Sequence, residues 1–293
     1  MPLGSRQIVL ALAAALLCAC PSPPPSQFPT AGDALQRMRE THACSRGVGG
    51  EATIDYFNQR GRVKGNLLYI AMLPDSLRFD VYSPFGVILS TLTTDGKRFA
   101  LRDFREKQFL QGEASACNVA RFTQVPVPPH ALAQLLRGEA PVLVHTAQAA
   151  SIAWDSGHYV VRLDSKHAAR EEIHLEPHPD DWGLHFSQQR VRVLRVRVEQ
   201  QGIDLYSAEL ADHEPAQTAA PRRDPDGLSA PLLPSGPACA AEVPRRIRLE
   251  VPDGDQDVIV RYKDVVHNPP LSEDVFSQRP ARGFSVRYVT CGR

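Results

Sequence analysis

The sequence predicts a mainly β protein: an incomplete antiparallel β-barrel of roughly eleven to thirteen strands, with short α-helices forming a lid over the cavity. Three observations carry this. Strand-like runs with period-two apolar alternation recur from residue 50 to 111, from 150 to 210 and again after 245. Midway, Leu132, Leu135 and Leu136 switch to helical spacing. Several runs are apolar on both faces, as Leu67 and Tyr69 against Leu68, Ile70 and Met72, more than one simple sheet face needs. A barrel too open to fill itself would present a greasy cavity beneath the helices; helices covering the second face of an ordinary two-layer core would use the same residues.

Taken in order, Thr30 and Asp33 form a capping-box pattern ahead of Leu35 and Met38, predicting a helix over 31–43. Ala52, Ile54 and Tyr56 alternate in a first strand, 63–73 makes a long second one, and Leu77, Phe79 and Val81 a third. Strands over 87–94, 98–104 and 107–111 continue the meander, with Asp95-Gly96 as a hairpin turn. A helix over 115–123 and one around Leu132–Leu136, stopped by Gly138, interrupt it. Strands resume at 150–155, 158–164, 170–176, 189–199 and 202–210. In the fourth of these the apolar phase slips at Val193-Leu194, which predicts a bulge. Residues 214–244, rich in Pro, Ala and Ser, read as a surface loop. Ile247, Leu249 and Val251 then face Val258, Val260 and Tyr262 in a hairpin, and a last strand spans 284–290. These later strands complete the same sheet, giving a single domain over 31–293.

The 293 residues carry 33 Lys+Arg and 33 Asp+Glu. Without a basic excess there is no electrostatic case for nucleic acid as a partner. The 43% apolar and 23% charged content suits a globular core. Arg6 precedes an apolar run from Ile8 to Leu17, too short to span a bilayer and shaped as a signal peptide over 1–20. Leu17-Cys18-Ala19-Cys20 resembles the bacterial lipobox, which implies acylation at Cys20 and a membrane anchor there. Residues 21–30 then form a stiff Pro-rich tether. In an oxidising compartment the remaining Cys44, Cys117, Cys239 and Cys291 form two disulfides, with three pairings possible. We expect Cys44–Cys117 and Cys239–Cys291, the second fastening the last strand to the Pro-rich segment.

Catalytic signals are sparse. There is no Gly-x-Ser-x-Gly, Gly-x-Gly-x-x-Gly or P-loop pattern. His174, Glu176 and His178, near Asp180 and Asp181, would share a strand face and could hold a metal, but a solvated strand edge uses the same residues. Asp253, Asp255 and Asp257 imitate a calcium loop, yet Val258 stands where Gly is required, so they read as a hairpin turn. No cofactor, no metal and no enzyme activity are expected.

Three blocks resemble periplasmic lipoprotein carriers and outer-membrane lipoprotein receptors of the LolA/LolB type. They are 77–94 (LRFDVYSPFGVILSTLTT), 125–141 (VPVPPHALAQLLRGEAP) and 244–262 (PRRIRLEVPDGDQDVIVRY). The resemblance implies an incomplete barrel around an acyl-binding cavity, with partners that are acylated lipoproteins or lipids and a periplasmic carrier protein. It also implies an envelope lipoprotein of a Gram-negative bacterium, on the outer membrane facing the periplasm. Phe85, between Pro84 and Gly86, takes the place of that receptor's membrane-contacting leucine. Candidate cavity residues are Phe79, Val81, Leu89, Phe99, Leu101, Ile247, Leu249, Val258 and Val260, with Leu132, Leu135 and Leu136 as the lid. Residues 145–187 and 214–244 read as insertions relative to that family. A structural or sensory envelope lipoprotein that binds a protein partner or another lipid is the rival reading, and a metal-dependent enzyme relying on His174, Glu176 and His178 the less favoured one.

Overall fold

The computed structural model describes residues 22–58, 61–123, 125–223, 226–251 and 256–291. Cys20 and the signal peptide lie outside the described residues, as do the hairpin turn at 252–255 and with it most of the calcium-like loop. No helix among the described residues is long and apolar enough to cross a membrane.

One sheet organises the molecule. Its first half is a meander of β1 (Gly47–Asn58), β2 (Gly61–Met72), β3 (Ser76–Tyr82), β4 (Ile88–Asp95), β5 (Arg98–Asp103) and β6 (Gln108–Glu113). The second half comprises β7 (Ala150–Asp155), β8 (His158–Asp164), β9 (Ala169–Pro177), β10 (Val191–Gln200) and β11 (Ile203–Pro215). β12 (Gln217–Thr218), β13 (Glu242–Val251), β14 (Gln256–Tyr262), β15 (Val266–His267) and β16 (Ser285–Val289) complete it. The spatial order is β16-β6-β5-β4-β3-β2-β1-β14-β13-β11-β10-β9-β8-β7, with β12 and β15 off this path. Among the described residues the edge strands β16 and β7 do not pair, so the barrel stays open.

Three differences from the expected strands have local causes. β12 and β15 are two-residue pairs, too short to leave a periodic signal. β16 pairs parallel with β6 rather than antiparallel, because the chain reaches it by a long crossover. That crossover runs along the outer face of β3–β5. Gln278 donates to Thr91 O at 3.0 Å and to Ala100 O at 3.2 Å, and Arg78 donates to Val275 O at 3.1 Å. It buries Thr91 and Thr93 and so uses part of the second sheet face.

Apolar rows cross the concave side. Phe79 stands opposite Tyr69 and Leu92, Leu92 opposite Leu101, and Leu101 opposite Leu110. In the closing hairpin Ile247 faces Val260 and Leu249 faces Val258, as the alternation predicts. The register of β9 and β10 shifts between Val193 and Arg195, at the predicted slip. Helix α1 (Ala31–Thr41) starts on the complete Thr30/Asp33 capping box and buries Ala34, Leu35 and Met38 against β10 and β7. Helix α2 (Ala116–Thr123) packs on β5, and α3 (Pro129–Arg137) crosses β13, β2, β3 and β1. Pro at N1 opens α3 and Gly138 closes it at φ +90°. A Cβ at Gly138 would meet Pro244 Cδ at 2.8 Å, so glycine is required there.

The disulfides correct the expected pairing: Cys44 joins Cys239 and Cys117 joins Cys291. The long loop folds back to the end of α1, where Asn268 donates to both Cys44 O at 2.9 Å and Pro237 O at 2.6 Å. β16 meanwhile ends beside α2, at the far edge. The last strand is therefore fastened to a lid helix and the Pro-rich loop to α1.

Candidate functional site

The helical blanket and the sheet enclose less space than an empty barrel would. Beneath α3 the void is about 30 Å³, room for a single water. Phe79, Leu249, Val258 and Val260 border it with Leu132 and Leu136. Phe99, Ile247 and Leu135 are buried in the surrounding core, and Phe99 borders a separate groove of about 600 Å³ shared with Arg98, Gln111, Gln278 and Tyr288. Tyr262 helps hold the lid down: it donates to Leu136 O at 2.8 Å and stacks on Tyr69 at 4.7 Å.

The open space lies to one side. A cleft of about 970 Å³ is walled by Ile54, Tyr56, Val63, Val81, Leu89 and Leu101. Register explains its position. β2 pairs with β1 as far as Gly61, but with β3 only as far as Asn66–Tyr82. Residues 61–65 of β2 thus run on past β3, leaving a breach beside Ser83 and Pro84. The register of β3 and β4 also shifts at Val81/Tyr82, leaving Leu89 unmatched and swung to the cleft wall. Three of the predicted cavity residues, Val81, Leu89 and Leu101, line this cleft.

The β3–β4 turn projects next to it. The Ser83 hydroxyl accepts from Phe85 N at 3.3 Å and Val87 N at 3.2 Å, Gly86 N donates to Ser83 O, and Gly86 sits at φ +78°. That geometry leaves Phe85 93% exposed, with Val87 and Val63 exposed nearby. Apolar side chains so placed form a patch with no packing role.

Charge on the cleft was not read from the sequence. Asp55, buried on β1, accepts a two-pronged ion pair from Arg62, while Lys64 and Arg261 approach the same carboxylate at 3.9 and 3.8 Å. The Arg62 hydrogen bonds hold the Asp55 carboxyl below the usual range. The signal was present as Arg62 and Lys64 alternating with Val63, but it needed the cross-strand register, Lys64 opposite Asp55 and Arg62 opposite Phe57.

The sequence-predicted metal candidates separate. His174 contacts His158 at 2.8 Å and Glu172 at 2.7 Å, whereas His178 turns to Glu242 at 3.3 Å and Asp181 pairs with Arg190 at 2.7 Å. The β9–β10 ladder continues through His178, whose N–H donates to Arg190 O at 2.8 Å, so His174 and His178 stand about 13 Å apart along extended chain, too far to share one ion. Asp257 is held by Arg248 at 2.8 Å. Under the lid's end, Arg137 is buried with Glu139 at 3.1 Å and His42 O at 3.0 Å. Burial, then the Arg137 charge, pushes His42 down to about 3.

No family model matches this chain, and no curated protein matches it. Solved structures do. A DUF1329 family protein from Desulfovibrio piger is similar at TM-score 0.54 and 11% identity, over 84% of this chain and 96% of that one. A LolA superfamily protein from Nitrosomonas europaea is similar at 0.51 and 12%, over 86% and 99%. A protein described as an outer-membrane lipoprotein-sorting protein domain, from Vibrio parahaemolyticus, is similar at 0.51 and 10%, over 84% and 97%. The resemblance read in the three sequence blocks thus holds at the level of fold: this chain has the LolA-like incomplete barrel.

Proposed function

We propose that this protein is a lipid-anchored envelope protein that binds the acyl chains of lipoproteins or lipids in its side cleft and assists their localisation to the outer membrane. The carrying observation is the apolar-walled cleft of about 970 Å³ opening beside the exposed Phe85 turn, a volume within the roughly 300–1,000 Å³ of small-molecule sites. The lipoprotein-sorting description of the Vibrio parahaemolyticus structure supports the same reading. Cys20 would carry the anchor on the outer membrane facing the periplasm, and a periplasmic carrier would supply the cargo. No covalent chemistry is required, since each buried CH₂ is worth about 0.8 kcal/mol. A cleft open to solvent covers the chain only partly, which favours release as much as uptake. Ile54 and Thr123 line both the cleft and the void under α3, so an outward shift of the lid would join the two spaces.

The test is titration of delipidated protein with a fluorescent fatty acid or an acylated peptide. Saturable uptake is expected, and Val81→Asp or Leu89→Asp should weaken it by about tenfold or more, because the carboxylate must be desolvated against the acyl chain. No saturable uptake by the unaltered protein would reject the proposal in favour of the partner-binding role. A second prediction concerns the turn. Phe85→Ser should leave thermal stability unchanged while reducing association with phospholipid vesicles by roughly tenfold, the loss of one membrane-buried Phe. Unchanged sedimentation with vesicles would remove the turn from the mechanism.

A further inference from the structure

The cleft joins two chemically different surfaces. Because the sheet is breached at residues 61–65, its walls come from both sides: inward-facing Val81 and Leu101, and outward-facing Lys64 and Arg261. A ligand lying through the breach would meet apolar side chains at one end and cations at the other. The cations exceed their partner. Arg62, Lys64 and Arg261 all approach the single carboxylate of Asp55, which is 6% exposed, while their own side chains are 48%, 65% and 48% exposed. Two positive charges are therefore left over, and they face solvent.

Availability of donors divides the three. Arg62 gives both Nε and Nη2 to Asp55, which occupies its fork. Lys64 and Arg261 stand 3.9 and 3.8 Å away, beyond hydrogen-bond range, and neither makes another hydrogen bond among the described residues. Arg246 lies directly across from Arg261 on β13 and adds positive potential, offset by Asp212 at 3.6 Å. The remaining charges at the cleft are already engaged. Asp103 accepts from Arg105 N and Glu106 N in its own turn, and Arg121 bonds Asn118 and Thr290 O. Beside the cluster, Glu51 is matched by Lys263 at 3.8 Å.

We infer that the ligand of this cleft is a phospholipid of net negative charge, its acyl chains against Val63, Val81, Leu89 and Leu101 and its phosphate on Lys64 and Arg261. This rests on the acyl-binding reading and narrows it. The acylated terminus of a lipoprotein brings no anion to that rim, whereas a phosphodiester matches an ammonium and a guanidinium whose donors are unoccupied.

The experiment uses short-chain phosphatidylglycerol and phosphatidylcholine as monomers below their micelle concentrations, titrated into the delipidated protein by calorimetry. Phosphatidylglycerol should bind about tenfold tighter in dilute buffer, because the choline cation of phosphatidylcholine offsets its own phosphate and is repelled by the two partly exposed positive side chains. In K64Q/R261Q the two lipids should bind alike. Salt gives an independent measurement on the unaltered protein: the preference should shrink as ionic strength rises from about 0.05 to about 0.5 M. Equal affinities in the unaltered protein, a preference that survives K64Q/R261Q, or a preference seen with vesicles but absent with monomers would each overturn the inference while leaving acyl binding standing. Uptake of neither lipid would overturn both.

Discussion

Glu171→Gln should stabilise the protein by roughly 3 kcal/mol at about pH 9, and by less than about 1 kcal/mol at about pH 5. Glu171 points to the inner side of β9 and is 2% exposed; its carboxylate accepts from Leu143 N at 2.8 Å. Burial pushes this carboxyl from its ordinary value near 4.5 up to about 8, and the single backbone hydrogen bond offsets only part of that. Between those two pH values the folded state holds a proton that the unfolded chain has lost. The stability is fully present below about 4.5, declines as pH rises, and levels off above about 8. Converted whole, the shift would be worth about 5 kcal/mol; water penetration and relaxation reduce it. Gln keeps the acceptor for Leu143 N and never ionises, so it resembles the protonated acid. Urea unfolding at the two pH values decides the matter. A gain of equal size at both would mean that Glu171 ionises as an ordinary carboxyl.

Glu139→Ala should cost about 3–5 kcal/mol, the penalty for leaving a buried cation without its counter-ion. Arg137 ends the lid helix at 2% exposure, with Glu139 as its anionic partner. The burial of this pair works against both charges, raising the Glu139 carboxyl and lowering the Arg137 guanidinium. Replacing both, as R137M/E139L, should therefore be far milder than E139A alone, because no charge then remains to be desolvated. Chemical unfolding of the two variants and of R137M completes the cycle. If R137M/E139L lost as much as E139A, the pair would be holding the lid by attraction rather than leaving a stranded charge behind.

The elements were legible where a single local rule decides them. Thr30 with Asp33, Gly138 after Leu136, Asp95-Gly96 and the phase slip at Val193-Leu194 each occupy the place that their pattern implies. The exposed Phe85 turn follows from Ser83, Pro84 and Gly86 lying within four residues. Arg137 shows the limit. A cation in the last turn of a helix looks like a surface cap favoured by the helix dipole, and only the strands packed beneath α3 make it a buried one. The disulfides failed for a similar reason, since spacing carries no information about a loop that returns across 195 residues to Cys44.

Alternation along the chain by itself determined that this is a mainly β protein whose strands are interrupted midway by a helix at Leu132–Leu136, because period two and period 3.6 are properties of consecutive residues. Where the empty space lies was decided only by tertiary structure. Leu132 and Leu136 fill the hollow under the lid, while the cleft exists because β2 outruns β3 and Leu89 bulges from the ladder. Both depend on register between strands and on side chains meeting from distant segments, and neither is encoded in the order of neighbours.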